Sequence, residues 1–360
     1  MTISASLKKD IKNLSNLNGV SSREENISKY IKNSLKGTSF KFEYDNLGSI
    51  AVIKKSAKKD APTIMLAAHM DEIGFMVTKI EKTGYIKFTP IGGWWGHVVL
   101  GQKFIITTEK GKEYTGVVGS TPPHIMEYAQ TKAVVKIKDM YIDLGASNAK
   151  EIEKLGIKPG DIISPDSKMF TMPNGDFVVG KAMDNRAAVA VGIEVMKKLS
   201  KVNLDCNVTF VGTTQEEVGL RGARTSAYKW TPDVAFAVDV TIAHDTPGVT
   251  PSDVKLGSGV ALSLFDSSII ASKPLFNLVE QTAKKSKIPY TYDGLTGGGT
   301  DAGAIHLARE GVITMTLSMP SRYIHSHNSM VSLKDMQNTA NLLIEFIKGF
   351  DNSKLKKLKY

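Results

Sequence analysis

The chain has 360 residues, of which 42% are hydrophobic and 23% are charged, as in an ordinary globular protein of about two domains. This composition excludes a disordered chain, and the scattered positions of its 31 glycines and 13 prolines exclude a collagen-like or low-complexity chain. The net charge of +10 is spread along the sequence without a nucleic-acid-binding motif. We therefore interpret the excess of lysine and arginine as a solvated basic surface, with no nucleic acid as a partner.

Segments that would target the chain to a membrane or export it are not predicted. No stretch approaches the 18 consecutive apolar residues of a membrane-spanning helix, and the start, MTISASLKKDIKNL, lacks the basic-then-apolar order of a signal peptide. Cys206 is the only cysteine, which excludes a disulfide framework and a thiolate metal site and predicts a core position for this residue. These features predict a cytoplasmic protein in which any metal is held by histidines and carboxylates.

The elements change character twice along the chain. The first forty residues predict helices, and residues 43–54 and 62–69 predict strands, the second ending in the continuous apolar run of a strand buried on both faces. From about residue 73 to 170, short β-like runs alternate with glycine and proline turns, and only residues 149–155 predict a helix. This part of the sequence predicts an inserted all-β domain over residues 73–170.

After Gly180 the pattern becomes an alternation of helices and apolar strands. Helices are predicted over 186–199, 275–287 and 333–350, and strands over 206–214, 233–241 and 312–318. Such alternation is typical of an α/β sheet with helices on both faces, and the strands before residue 70 belong to the same sheet. The predicted fold class is therefore α/β, with one α/β/α domain formed by residues 1–72 and 171–360.

Histidines and carboxylates follow the predicted strands of this sheet. In open α/β sheets, functional groups collect beyond the carboxyl ends of the strands. The residues in question come from segments far apart in the sequence: His69 and Asp71, Asp184, Glu216 and Glu217, Asp239, and His325. The sequence therefore predicts that these side chains meet at one edge of the sheet.

Two of these segments place negative charge where burial is costly. Asp239 interrupts the apolar strand AFAVDVT, and the pair Glu216–Glu217 directly follows a buried strand. A divalent metal would offset both costs. Neighbouring side chains aim apart, so one glutamate can bind metal while the other faces the substrate water, in an order that spacing alone leaves open. Asp71, two residues after His69, can accept the second imidazole N–H.

The order of these motifs carries a family resemblance. The sequence contains HMDE at 69–72, DN at 184–185, QEEVG at 215–219, VD at 238–239, GGGTDA at 297–302 and RYIH at 322–325. Over essentially the whole chain it resembles the glutamyl aminopeptidase and tetrahedral aminopeptidase family of dinuclear metallo-aminopeptidases. The resemblance implies a metallo-exopeptidase-type catalytic domain whose inserted β domain serves dimerisation.

The resemblance also implies a role for each motif residue. Asp184 would bridge two divalent ions of Zn²⁺, Co²⁺ or Mn²⁺, and the peptide bond after it would be cis. His69 and Asp239 would complete one metal site, and Glu217 and His325 the other. Glu216 would be the general base and acid, and Asp71 would orient His69.

The implied substrates are peptides, and the implied assembly is a homo-oligomer of dimers joined into a tetrahedral dodecamer. Within the family, the motifs are most similar to those of the bacterial glutamyl enzymes, which predicts a preference for N-terminal Glu or Asp. Such a preference requires a cation beside the metals, for which Lys255 and Arg322 are the candidates. Thr300 and Asp301 are predicted to line the cleft.

Three alternatives stay open at this point. The chain could be a leucyl-type aminopeptidase of the same family, or an endoglucanase-type glycoside hydrolase that uses paired carboxylates as acid and nucleophile. It could also be a binding protein that kept the fold. No role follows from the sequence for Trp94 and Trp95, and His327 is a candidate neighbour of the metal ligands.

Overall fold

The computed structural model describes residues 2–128 and 132–359. The helices are α1 (Ala5–Asn16), α2 (Glu25–Ser34), α3 (Ala149–Leu155), α4 (Met183–Leu199), α5 (Arg221–Trp230), α6 (Lys273–Lys285), α7 (Ala302–Ile305), α8 (Leu333–Lys348) and α9 (Asn352–Leu358). The first strands are β1 (Lys41–Tyr44), β2 (Ile50–Lys54), β3 (Thr63–His69), β4 (Gly74–Ile80), β5 (Ile86–Ile91), β6 (Lys103–Thr107), β7 (Glu113–Gly119), β8 (Tyr141–Asp143) and β9 (Ile162–Pro165). The remaining strands are β10 (Phe170–Thr171), β11 (Phe177–Gly180), β12 (Asn207–Thr213), β13 (Val234–Ile242), β14 (Val260–Phe265), β15 (Tyr290–Gly294), β16 (Ile313–Arg322) and β17 (Ser329–Ser332).

A large mixed sheet forms the centre of the α/β part. Among the described residues it has eleven strands, in the order β1-β2-β12-β3-β13-β16-β17-β11-β10, with β14 attached to β16 and β15 to β14. The four central strands β12, β3, β13 and β16 are parallel, and their carboxyl ends therefore lie at one edge. The predicted α/β fold class is confirmed.

Strand β3 shows why this sheet carries helices on both faces. Ile64, Leu66 and Ala68 pack into the core built with α1, α4 and α8, whereas Met65 and Ala67 pack into the core built with α5 and α7. Successive strand residues point to opposite faces, so a continuous apolar run is what two covered faces require. The sequence pattern of residues 63–68 is thereby explained.

The second architectural unit is a closed barrel. In the described part of the chain it consists of six strands in the order β4-β5-β8-β7-β6-β9, all between Gly74 and Pro165. Its core is apolar and includes Phe75, Phe88 and Phe104. These strands lie within the predicted inserted segment 73–170, whose role as an oligomerisation domain stays a prediction.

Several elements differ in detail from the expected ones. The strand expected over 43–54 is a hairpin of β1 and β2, because the Asp45 carboxylate accepts hydrogen bonds from the backbone N–H groups of Leu47 and Ser49 and closes a turn. Strands β14 and β15 and helix α5 were not expected. Strand β16 continues to Arg322, four residues beyond its predicted end, because it pairs with β13 along its length and with β17 at its end.

Candidate metal centre

The carboxyl edge of the four parallel strands gathers the predicted ligands. His69 ends β3, the pair Glu216–Glu217 follows β12, and Asp239 lies near the end of β13. Two further residues come from outside these strand ends: Asp184 in a non-helical kink at the start of α4, and His325 in the loop between β16 and β17. The sequence-based expectation that these segments meet agrees with the geometry.

Asp184 stands between the two histidines. Its Oδ1 lies 3.1 Å from His69 Nε2, and its Oδ2 lies 3.5 Å from His325 Nε2. Each imidazole also has a second carboxylate nearby, with Glu217 Oε2 at 3.4 Å from His325 Nε2 and Asp239 Oδ1 at 3.9 Å from His69 Nε2. One carboxylate with its two oxygens directed to two different histidines is the shape of a bridging ligand. The Asp184–Asn185 peptide bond is cis, as the resemblance implies.

The two adjacent glutamates are separated in space. Glu217 lies on the side of His325, and Glu216 Oε2 lies 3.9 Å from His69 Nε2. Donor atoms of His69, Glu216 and Asp239 lie within 4.8 Å of one another, as do those of His69, Asp184 and Glu217. Distance alone therefore permits Glu216 to bind metal, and its assignment as the base still rests on the resemblance.

Asp71 is fully buried and has more partners than its predicted role requires. His69 Nδ1 lies 3.2 Å from the backbone carbonyl oxygen of Asp71 and 3.4 Å from its Oδ1, so Asp71 contacts the imidazole through both its backbone and its carboxylate. The carboxylate also accepts hydrogen bonds from the backbone N–H groups of Glu216, at 3.0 Å, and Glu217, at 3.2 Å, and from Ser21 Oγ at 2.6 Å. Asp71 thus fixes a histidine and the glutamate loop together.

The electrostatics of the cluster fit a bound cation. Burial raises the pKa of Glu217 to about 8, with a further contribution from the charge of Asp184. Burial also raises the pKa values of Glu216 and Asp239, although His69 opposes the rise at both. A divalent ion would stabilise the charged forms of all these carboxylates. Imidazole and carboxylate donors suit Zn²⁺, Co²⁺ and Mn²⁺, so the residues fit such an ion.

The backbone around the ligands is held in unusual conformations. Gln215, Leu220 and His325 have φ angles of +56°, +56° and +58°, in the left-handed region that non-glycine residues rarely adopt. Gly93 packs against His325, where a Cβ atom would lie 3.0 Å from Nδ1. Strained positions of this kind persist when the surrounding structure over-determines them, and they cluster at functional sites.

The residues predicted to line the cleft divide into two groups. Thr300 lines the cavity beside the ligands and shares a hydrogen bond of 2.8 Å with Thr316 through their hydroxyl groups. Asp301 lies behind the cavity, 2% exposed, and accepts a hydrogen bond of 2.5 Å from Thr213 Oγ1. Burial raises the pKa of Asp301 to about 6. Asp301 therefore faces the cluster from the core and has no surface in the cavity.

The two candidate cations lie elsewhere. The guanidinium of Arg322 donates to both carboxylate oxygens of Asp245, at 2.7 and 2.8 Å. Lys255 is exposed in the loop before β14 and is absent from the cavity lining. A bidentate arginine–carboxylate pair is already neutralised. In this structure neither residue supplies a cation beside the metal ligands.

A cavity of about 660 Å³ opens over the cluster. Beyond the metal-ligand candidates, its walls are apolar side chains, the glycine loop 297–299 and the hydroxyl side chains of Thr241, Ser267, Ser268 and Thr300. The apolar side chains are Leu220, Val240, Ile242, Leu295 and Ile324. Among the described residues, its lining contains no lysine or arginine. The cavity can hold a small uncharged side chain next to the carboxylates.

Trp94 and His327 join the site to the barrel. Trp94 stacks on Phe75 with ring centroids 4.8 Å apart, and its Nε1 donates to the carbonyl of Gly74. His327 is buried against Phe104, and its Nε2 donates to the carbonyl of Lys103 at 3.2 Å. His327 therefore anchors the His325 loop to the barrel and does not contact the ligands. Trp95 is exposed.

Two buried basic residues next to the site were missed by the sequence analysis. Lys181 Nζ donates to both carboxylate oxygens of Glu72, at 2.6 and 2.8 Å. Arg186 is fully buried and donates to the carbonyls of Met70 and Gly19, among others. Both flank Asp184 in sequence, which was the available signal, but charged residues near a helix start are more often solvated.

Comparison with known proteins identifies the family. The family model of the M42 glutamyl aminopeptidases matches residues 48–342. The glutamyl aminopeptidase of Lactococcus lactis is 36% identical over 97% of this chain and 98% of its own length. The lysyl aminopeptidase of Pyrococcus furiosus is 34% identical over 92% of this chain and 95% of its own length.

Solved structures give the same answer. The TET aminopeptidase of Thaumarchaeota archaeon SCGC AB-539-E09 matches with a TM-score of 0.95 and 38% identity, covering 98% of this chain and 99% of that one. The TET1 peptidase of Pyrococcus horikoshii, which can assemble into a tetrahedron or a large octahedral shell, matches with a TM-score of 0.86 and 32% identity over 96% of this chain and all of that one. The resemblance read from the motifs is confirmed: the chain belongs to the M42 glutamyl aminopeptidase family and is an enzyme that hydrolyses peptide bonds.

Proposed function

We propose that this chain is a metal-dependent aminopeptidase that releases N-terminal residues from peptides by means of two divalent ions per subunit. The observation that carries the proposal is the position of Asp184, whose two oxygens face His69 at 3.1 Å and His325 at 3.5 Å. With Asp239 on one side and Glu217 on the other, these residues would hold two ions that share one carboxylate. The ions would be Zn²⁺, Co²⁺ or Mn²⁺.

When bound, a pair of such ions lowers the pKa of a shared water and polarises a carbonyl group. We assign the role of base to Glu216, which lines the cavity on the His69 side and would take the proton of the attacking water and return it to the departing amine. Asp71 would hold Glu216 in place through the bond to its backbone N–H. The same residues thus position the ligands and the base.

The alternatives for substrate preference are an acidic and an uncharged N-terminal residue. Preference for Glu or Asp rests on the similarity to glutamyl enzymes, but Arg322 is paired with Asp245 and Lys255 lies away from the cavity. A lining of apolar and hydroxyl side chains, without lysine or arginine among the described residues, supports uncharged side chains instead. We therefore favour a leucyl-type preference, with the glutamyl preference as the alternative that a basic residue from a neighbouring subunit would restore.

The glycoside hydrolase alternative leaves the two histidines of the site without a role. Two carboxylates suffice for glycoside hydrolysis, whereas His69 and His325 face a carboxylate placed between them. Removal of metal separates the two functions, because a two-carboxylate glycosidase keeps its activity in a chelator and the proposed aminopeptidase loses it.

We also propose that the inserted segment 73–170 mediates dimerisation and that dimers join into a tetrahedral dodecamer. The support is the family resemblance together with apolar side chains on the outside of the barrel region, such as Ile125, which is 77% exposed. Among the described residues, no helix has the length and hydrophobicity needed to cross a membrane. A cytoplasmic location stays a prediction from the single cysteine.

The base assignment is tested with Glu216→Gln. We expect this variant to keep its fold and metal while turnover falls by at least about 10²–10⁴-fold, the usual contribution of a positioned acid–base group. Aminoacyl substrates with leucine and glutamate, assayed with each of the three metals, measure activity and preference together. Turnover of E216Q close to that of the natural enzyme would remove Glu216 from the reaction. A kcat/KM for the glutamyl substrate above that for the leucyl one would reverse our choice of preference.

A further inference from the structure

The segment that joins α1 to α2 lies against the loop that carries the two glutamates. Ser21 Oγ donates to the buried Asp71 carboxylate, which in turn accepts the N–H groups of Glu216 and Glu217. Three residues further on, Glu24 Oε1 accepts the N–H of Gln215 at 3.0 Å. The three successive N–H groups of residues 215–217 are therefore each held by a buried carboxylate.

Gln215 is the residue at which this hold matters. Its φ angle is +56°, in the left-handed region that is unfavourable for a residue with a side chain. The chain turns at Gln215, shortly after the end of β12. This turn determines the direction in which the side chain of Glu216 leaves the backbone. The bond from Gln215 N–H to Glu24 fixes the peptide plane immediately before this turn.

The side chain of Glu24 does not stabilise the start of its own helix, α2. Glu24 is the residue before α2, the N-cap position, yet its side chain makes no capping hydrogen bond to that helix. The same Oε1 accepts the N–H of Ser22 at 2.8 Å, which keeps the carboxyl group turned toward the glutamate loop. Glu24 is only 4% exposed and does not line the cavity, so it acts through the backbone and has no contact with substrate.

We propose that Glu24 is a positioning residue for Glu216: it holds the left-handed turn at Gln215 so that the carboxylate of Glu216 faces the reacting water. This inference rests on the proposed function, since it assumes that Glu216 is the base. It predicts that Glu24 affects turnover far more than substrate binding. It also predicts that an oxygen acceptor is sufficient, because one oxygen accepts both N–H groups.

The experiment compares Glu24→Ala with Glu24→Gln. We expect E24A to lose roughly 10- to 100-fold in kcat, the effect of a small misplacement of a reacting group, with KM within about twofold and metal content unchanged. E24Q keeps an acceptor oxygen and restores most of kcat. Two substitutions serve as controls. Glu25→Ala changes an exposed neighbour of Glu24. Asp176→Ala removes another buried carboxylate, which accepts hydrogen bonds from Ser332 Oγ and from the backbone N–H of Lys334. D176A should lower the melting temperature and leave kcat per folded molecule unchanged.

A double-mutant cycle identifies the route of the effect. If Glu24 acts through Glu216, E24A causes no further loss in the E216Q background, because the group that it positions is already inactive. An equal loss in both backgrounds, a kcat of E24A equal to that of the natural enzyme, or a loss fully accounted for by missing metal would each overturn the role of Glu24. Full activity of E216Q would instead overturn the base assignment, and with it this inference. An inactive E216Q with a fully active E24A would overturn the role of Glu24 alone.

Discussion

The core of the barrel is built from aromatic and aliphatic side chains, with Phe75 stacked on Trp94 and in edge contact with Phe88 and Phe104. The carboxyl edge of the large sheet buries charges instead, among them the fully buried Arg186. Each buried apolar surface increases the free energy of unfolding, whereas a buried charge decreases it unless a partner neutralises that charge. The barrel can therefore tolerate repacking, while the sheet edge depends on each partner being present.

The outer surfaces of the two regions are alike in exposing apolar side chains. The barrel region exposes Ile125, Trp95 and Val117, at 77%, 64% and 48%. The α/β part also has one strongly exposed isoleucine, Ile270, at 84%, beside an apolar groove in the β14–α6 loop. Substitutions in the two regions can therefore be compared to show which region is required for catalysis and which forms the contacts between subunits.

The largest expected effect comes from Asp184→Ala, because one carboxylate is proposed to serve two ions. We expect loss of metal from both sites and a fall in turnover of more than about 100-fold, since even groups that only orient metal ligands contribute about 10–100-fold to affinity or activity. Elemental analysis and steady-state kinetics measure the two effects. Full occupancy of both sites in D184A would place the bridge elsewhere.

The barrel supplies the control for that substitution. Phe88→Leu removes part of an aromatic core contact and should cost about 1–2 kcal/mol of unfolding free energy. We expect its metal content and its kcat per folded molecule to equal those of the natural enzyme. Loss of metal from F88L would show that the two regions are more tightly coupled than their separate cores indicate.

The next effect tests the buried charges at the sheet edge. Lys181→Met removes the nearer of two cations from the buried Glu72, at 2.6 Å, and leaves Arg186 at 3.5 Å and the N–H of Gly19 on that carboxylate. We expect a loss of more than about 1 kcal/mol, up to the roughly 3–5 kcal/mol of a fully broken buried pair. Lys41→Met breaks a pair of similar length, 2.7 Å, whose lysine is 72% exposed, and should change stability by less than about 1 kcal/mol. Urea unfolding measures the loss of unfolding free energy in each variant, provided that the dependence of this free energy on urea concentration is unchanged. Equal losses for the two variants would contradict the assigned cost of burial.

Two of the proposed metal ligands could be found from the sequence because they break a pattern. His69 ends a continuous apolar run, and Asp239 interrupts one, so both are visible without a structure. Glu24 gave no such signal, since the run SREEN is typical of an exposed helix start and its partner Gln215 lies 191 positions away. Contacts of that range depend on the folded topology.

Other misses have the same physical origin. Closure of the barrel requires β9 to pair with β4 and β6, which no local pattern encodes. Arg322 was interpreted as a free cation because its partner Asp245 is 77 positions distant and looks like an ordinary loop carboxylate. Local periodicity therefore predicted the fold class, and the family resemblance supplied the proposed ligands, while the groups that hold those residues in place appeared only in three dimensions.

The pH dependence of stability gives a smaller effect at the sheet edge. Burial raises the pKa of Glu24 from 4.5 to about 7, with a further contribution from Asp71. The folded protein thus holds this proton more tightly than the unfolded chain does. The resulting stabilisation is complete below pH 4.5 and is lost as the pH rises to about 7, by about 3 kcal/mol at 1.36 kcal/mol per unit.

Glu24→Gln removes this titration and keeps the shape of the side chain. Between pH 4.5 and 7.5 we expect the natural protein to lose about 2–3 kcal/mol more than E24Q, with the other groups cancelling in the difference. The exposed neighbour provides the control, because Glu25→Gln should leave the pH profile unchanged. Parallel profiles for the natural protein and E24Q would show that Glu24 titrates near its ordinary value.

The smallest effect concerns the contacts between subunits and separates the two isoleucines. If the barrel region carries the dimer contact, Ile125→Glu should weaken dimerisation by about 10- to 100-fold, because burying an isoleucine contributes about 1.5–3 kcal/mol. Ile270→Glu introduces the same charge at a similarly exposed position of the α/β part and should leave dimers intact. Light scattering over a range of concentrations distinguishes monomers, dimers and larger assemblies, while metal content and kcat report that each variant is folded. Dissociation of I270E to monomers with intact dimers of I125E would transfer the dimer contact to the α/β part and would leave the barrel without the role proposed for it.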